Sequence, residues 1–190
     1  MRRPSPLIPL LLALTALAGP GALPAAAQAP DPVTNLVAQF PQTVAGSPLE
    51  IITFRGDEWL AGFTGSATGD AFLAYLASLG VGPDALATQV ALASGVFVNS
   101  LGASTALTAI AVCPAGPFDL VANTLPLYGP IGEQPLAPAL AGDLVTGTAF
   151  DEARQAHIRA MARADVVWLV DATEPAIPEI MAVIPTWEVC

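Results

Sequence analysis

The side chains able to do chemistry are few, and their spacing is sparse. His157 is the single imidazole in 190 residues. A Ser-His-Asp relay would have to use it, with Ser66 or Ser94 as the nucleophile. No Gly-x-Ser-x-Gly elbow is present to lift a serine out of a strand–helix turn, so His157 is expected as a partly exposed surface or strand residue. Asp57-Glu58 and Asp151-Glu152 are adjacent carboxylates. Two carboxylates flanking a glycosidic bond can hydrolyse it, at a separation that the fold must set, and hard cations such as calcium take the same oxygens. No EF-hand spacing accompanies them, and solvated acidic surface is the simpler reading. Residues 62–69, Gly-Phe-Thr-Gly-Ser-Ala-Thr-Gly, resemble a loop whose amides converge on a phosphate. That loop lacks the Walker lysine and does not match Gly-x-Gly-x-x-Gly, so a connection ending in a helix cap is expected. Arg55-Gly56-Asp57 spells an adhesion tripeptide, for which a turn after a strand is sufficient explanation. Trp59, Trp168 and Trp187 could stack on sugars, with Trp168 read as core and the other two as the more exposed. One imidazole and two thiols are too few for an ordinary zinc site. No catalytic residue, metal ligand or cofactor site is therefore assigned.

The compartment is more legible than the chemistry. Met1-Arg2-Arg3, the apolar run Leu7–Ala18 and the small residues Ala25–Ala29 together have the form of an export signal. Cleavage is expected after Ala27, giving a signal peptide over 1–27. The apolar run is shorter than the roughly 20 residues that a bilayer span needs, so the chain is expected to leave the membrane once cut and to be secreted or held in the cell envelope. Loss of Arg2 and Arg3 takes the formal charge from −10 to −12. There is no lysine, which removes Schiff-base and P-loop chemistry. An acidic chain is a poor partner for nucleic acid and for anionic lipid. In an oxidising compartment Cys113 and Cys190 are a candidate disulfide. They could equally stay free or link two chains.

These residues must be positioned by ordered elements. Pro30 and Pro32 mark an extended linker, and Thr34–Phe40 a short helical turn, so 28–39 reads as linker plus N-terminal helix and 40–190 as one domain. Leu49–Phe54 is β-branched and aromatic and reads as a strand. Phe72, Leu73, Leu76 and Leu79 recur at helical spacing, with Thr68 as the expected cap and Gly80 as the stop. Pro83 suits the first turn of a further helix. Residues 85–118 carry no charge. A membrane span is one reading; the other is a buried helix end and two strands, Val96–Ser100 and Thr105–Cys113, turning at Gly102. Phe118–Leu127 reads as a helix ended by Pro126, 129–142 as irregular, and Asp143–Thr148 and Asp165–Asp171 as strands. Ala153–Met161 fits helix by composition and strand by the like charges of Arg159 and Arg163 at i,i+4. Thr173–Ile184 closes the chain with a helix. Together these describe an α+β domain, an antiparallel sheet with helices packed on one face.

The spacing of Phe40-Pro41, Gly46, Leu49, Phe54 and Gly56, then Phe72-Leu73, Leu79-Gly80 and Pro83-Asp84, resembles a pattern in uncharacterised secreted α+β domain proteins of high-GC bacteria. Ala164-Asp165-Val166-Val167, Glu174-Pro175 and Ile184-Pro185 are similar to that pattern's ending. The resemblance covers most of 40–187 and rests on packing and turn residues. It implies an α+β domain with a hairpin over Ala153–Asp171, and it brings no activity. The function expected is a secreted, non-enzymatic binding or envelope-associated domain whose ligand and partner are unspecified. The alternative is a small extracytoplasmic hydrolase acting through Asp57 and Glu58.

Overall fold

A computed structural model describes residues 31–128, 136–141, 144–151, 156–183 and 189–190. The chain runs α1 (Pro32–Ala38), β1 (Thr43–Val44), β2 (Ser47–Pro48), β3 (Glu50–Arg55), α2 (Gly56–Ala61), α3 (Ala67–Ser78) and α4 (Leu86–Gln89). It continues through β4 (Val90–Val98), β5 (Ser104–Val112), α5 (Pro117–Thr124), β6 (Leu136–Ala141), β7 (Leu144–Asp151), β8 (Ala156–Arg163), β9 (Val166–Asp171) and α6 (Ile177–Val183). Seven strands form one sheet in the order β3-β4-β5-β9-β8-β7-β6, with every neighbouring pair antiparallel. β1 and β2 make a separate two-stranded ribbon. This is the α+β architecture with an antiparallel sheet that the sequence implies.

The central strands explain how the helices are arranged. β4 is buried at every position from Val90 to Ala93, and β9 from Val166 to Val170. A strand apolar on both alternations must be covered on both faces. One face carries the larger helical layer, where Trp59 and Leu60 of α2, Phe72 and Leu76 of α3, and Leu120, Val121 and Leu125 of α5 or its end pack on Leu92, Ile110 and Val167. The opposite face is lined by the small residues Ala91, Ala93, Ala109 and Ala111, which leave room for Trp168, Phe40, Leu36 of α1 and Ile180 of α6. Helices thus lie on both faces, where the sequence suggested one. Alternation could be read in individual strands, but the short helices α1 and α6 gave no sign of which side they close.

Several boundaries move for local reasons. Ser66, not Thr68, caps α3: its Oγ accepts from Gly69 N–H at 3.0 Å. Gly80 terminates that region at φ +82, a conformation that favours glycine. Where Arg55-Gly56-Asp57 was expected to turn, the six-residue helix Gly56–Ala61 begins, its first turn held by Glu58, which accepts Arg55 N–H at 3.2 Å. The uncharged 85–118 stretch forms α4, β4, β5 and the start of α5, with the β4–β5 hairpin turning at Gly102 (φ +78). Among the described residues no single helix is long and apolar enough to cross a membrane. Within 129–142, read as irregular, Leu136–Ala141 is a strand. Of the ambiguous stretch, Ala156–Met161 belongs to strand β8, and Ala164 (φ +50) lies in the turn to β9. Residues 1–30 lie outside the described residues, as does Trp187.

Candidate functional site

The register of the sheet decides what each strand presents. On the face bearing α2, α3 and α5, one row across the sheet runs Phe54, Leu92, Ile110, Val167 and Ala162. All but Phe54 are part of the core under the helices. The next row runs Ile52, Ser94, Thr108, Leu169 and Ala160, and beyond it lie Glu50, Val96 and Ala106. The helices do not reach this outer half of the sheet on the β3–β4 side. Ile52, Val96 and Val98 are exposed there, and Leu101 at the hairpin tip is 80% exposed.

A trough of about 510 Å³ follows from this, lined by Val96, Ala106, Ile158, Leu169, Thr108 and Asp171 among others, with Tyr128 at its wall. Apolar side chains make its floor. Among the described lining residues the polar side chains are hydroxyls and one carboxylate. Ser94 Oγ and Thr108 Oγ1 lie 2.9 Å apart and satisfy each other. Asp171 Oδ1 accepts from Thr173 N–H at 2.8 Å and from Thr173 Oγ1 at 2.7 Å, which fixes the carboxylate at the trough's end.

A buried acid fixes the β4–β5 turn. Glu174 accepts Asn99 Nδ2 at 3.0 Å through one oxygen and Ala176 N–H at 3.0 Å through the other. Asn99 Oδ1 in turn accepts the N–H groups of Leu101 and Ala103. Buried carboxylates are retained where such donors compensate their desolvation. The β4–β5 turn is therefore tied to the segment after β9. In the sequence Glu174 stood out only within the Glu174-Pro175 pair and Asn99 not at all, because their contact is meaningful only once the two face each other.

The residues singled out by type are dispersed. Ser94 is on the trough face, whereas His157 projects from the other face of β8, exposed and against the Phe150 ring at 5.0 Å. The sheet lies between them. Ser66 is occupied as a helix cap, accepting from Gly69 and donating to Phe63 O at 2.7 Å. The glycine loop is likewise structural: a Cβ at Gly69 would collide with the Phe63 carbonyl. Asp57 and Glu58 sit exposed on α2, outside the trough, and Glu58 is engaged with Arg55 N–H. Gly56 of the Arg-Gly-Asp tripeptide is buried against Val90. Trp59, read as more exposed than Trp168, is 9% exposed and meets the rings of Phe63 and Phe72 edge-on. Trp168 is core, as its strand suggested. Asp151 ends β7, and Glu152 lies outside the described residues.

Cys113 and Cys190 are joined as a disulfide, with Cα atoms 5.7 Å apart. Asp165 accepts the N–H groups of Val189 and Cys190 at 2.9 and 2.8 Å, which seats the last residues beside Cys113. The thiols are consumed in their own bond, so the cluster Cys113, Asp165 and Cys190 is a clamp on the chain end. A second hollow, about 410 Å³, lies on the opposite face under α6, where Met161, Ile177 and Met181 close a packing seam beside Arg159. No protein-family model, curated protein or solved structure matches this chain.

Proposed function

We propose that this protein is an exported binding domain that holds a small, uncharged or singly cationic amphipathic ligand in the trough on the open half of the sheet. The observation that carries the reading is the lining. Among the described lining residues, Val96, Ala106, Ile158 and Leu169 supply apolar side chains, Ser104, Thr105, Thr108 and Tyr128 supply hydroxyls, and Asp171 supplies the one charge. Pockets of that kind bind by burial of apolar surface and orient by a few fixed polar groups. An anionic ligand would meet a carboxylate within the trough and a strongly negative chain around it, which opposes it electrostatically. The disulfide supports the export part of the reading, since such bonds persist in oxidising compartments. Asp57 and Glu58, the residues of the hydrolase alternative, stand outside the trough, so the geometry favours binding over hydrolysis.

The test is titration with the neutral fluorophore N-phenyl-1-naphthylamine, which brightens in apolar sites. Saturable binding is expected. Val96→Glu, at an exposed position on the trough wall, should weaken it by about tenfold or more, because an unpaired charge would be buried under the probe. Absence of saturable binding, or equal binding by the variant, would refute the reading.

A further inference from the structure

The two edges of the sheet are treated differently. Natural sheets guard their edges with proline, bulges, charge or cover, because an open edge pairs with other chains. The β6 edge carries Pro138 and a register shift between Leu136 and Ala139. The β3 edge has neither: Glu50–Arg55 pairs with β4 in unbroken register, without proline or lysine, and every residue of β3 except Ile51 is exposed.

The hydrogen-bonding parity of β3 can be read from the hairpin beside it. Asn99 N–H donates to Ala103 O, so in this register the odd residues of β4 face β5 and the even ones face β3. Their partners on β3 are Glu50, Ile52 and Phe54, which leaves the N–H and C=O groups of Ile51 and Thr53 directed outward. The flanking outward N–H groups are already used. Leu49 N–H donates to Gln42 O, where the β1–β2 ribbon runs alongside, and Arg55 N–H donates to Glu58 at the start of α2. Among the described residues the open window is therefore Ile51 and Thr53, symmetric about Ile52.

A window with that symmetry is complementary to itself. We propose that β3 pairs antiparallel with β3 of a second copy of this chain, about a two-fold axis passing through Ile52. An axis perpendicular to the sheet keeps the two trough faces on the same side. Ile51 then lies opposite Thr53 of the second copy, and Thr53 opposite its Ile51, so all the outward groups of the window are satisfied reciprocally. Ile52 meets its own counterpart in the closer, non-hydrogen-bonded type of pair, with Cα atoms about 4.5 Å apart. It is 55% exposed in the single chain and loses that exposure to an identical apolar side chain. The ribbon at one end and α2 at the other stop the ladder there, which fixes the register and closes the assembly at two copies. The two sheets become continuous, with both troughs opening on one face.

Because Ile52 faces itself, opposite charges at this one position provide the test. Sedimentation velocity of the full chain recovered from a secreting host should show a concentration-dependent dimer. Ile52→Glu and Ile52→Lys should each raise the dimer dissociation constant by about tenfold or more, since like charges directly opposite are unfavourable. An equimolar mixture of the two variants should restore the dimer as a heterodimer. Thr53→Pro should also block it, because the N–H that proline removes points away from β4. Circular dichroism of each variant checks that the fold persists at these exposed positions. A chain that stays monomeric at all concentrations, a dimer indifferent to both Ile52 variants, or a mixture without rescue would overturn the proposal. Probe binding in the trough is measured separately on Val96, so either reading can fail alone.

Discussion

Replacing both cysteines, Cys113→Ser with Cys190→Ser, should cost this domain a large share of its stability. The bond spans 77 residues. For a loop of that length the chain-entropy relation gives about 15 cal/mol/K, or about 4.5 kcal/mol at 25 °C. That figure applies if the folded state is little altered by the loss, and the contacts at the chain end argue that it is. Val189 is buried, its N–H and that of Cys190 are held by Asp165, and its carbonyl accepts Asn35 Nδ2 at 2.8 Å. The loss should therefore fall mainly on the freedom regained by the unfolded chain. For a domain of 150–250 residues each kcal/mol moves the midpoint by about 2–4 °C, so a drop of roughly 9–18 °C is expected. The assay is thermal unfolding by circular dichroism of the oxidised chain, the chemically reduced chain and the double serine variant. The last two should agree. A midpoint lowered by less than about 3 °C would refute the entropic reasoning, and free thiols in the native protein would refute its premise.

Three further outcomes follow from packing and burial. A Cβ at Gly147 would lie 2.5 Å from Leu125 Cδ1 and 2.8 Å from Val121 Cγ1; Gly147→Ala should lift α5 and its end from β7 at a cost of about 1–3 kcal/mol in urea unfolding. Gly82→Ala, where nothing lies within 4 Å, should be neutral or gain about 0.4–1 kcal/mol. Tyr75 has a buried hydroxyl without a partner among the described residues, and burial, then the nearby charge of Asp119, push its pKa from 10.0 up to about 12. The folded state thus holds this proton more tightly than the unfolded chain. Its contribution to stability is complete below pH 10 and is lost as pH rises from 10 through about 12. Unfolding followed across that range, with Tyr75→Phe removing this part of the alkaline loss, checks the sign.

Much of the local structure was legible. The helix ending at Gly80 announced itself by the helical repeat of its buried face, and the strands at 49–54 and 165–171 by runs of β-branched and aromatic residues between turn signals. Short or two-faced elements were harder. The six residues of α2 are fewer than two helical turns, and their charged first turn matched a loop equally well. Ala156–Met161 carries helix-forming residues, yet it lies between β7 and β9, whose ladders outweigh its intrinsic preference.

What the sequence determined by itself was the α+β class, the acidic and lysine-free surface, and the scarcity of residues fit for catalysis, since all of these follow from composition and near-neighbour periodicity. Relations between distant positions came from the folded chain. Ser94 and His157 share a sheet but not a face. Cys113 meets Cys190 because Asp165 draws the chain end to it. Asn99 and Glu174 tie the β4–β5 turn to the segment after β9 only by meeting, and the open edge at Ile51 and Thr53 exists only because β4 takes the intervening hydrogen bonds. Each of these depends on register and on which strand lies beside which, and contacts between residues far apart in the chain carry no periodic trace in a single sequence.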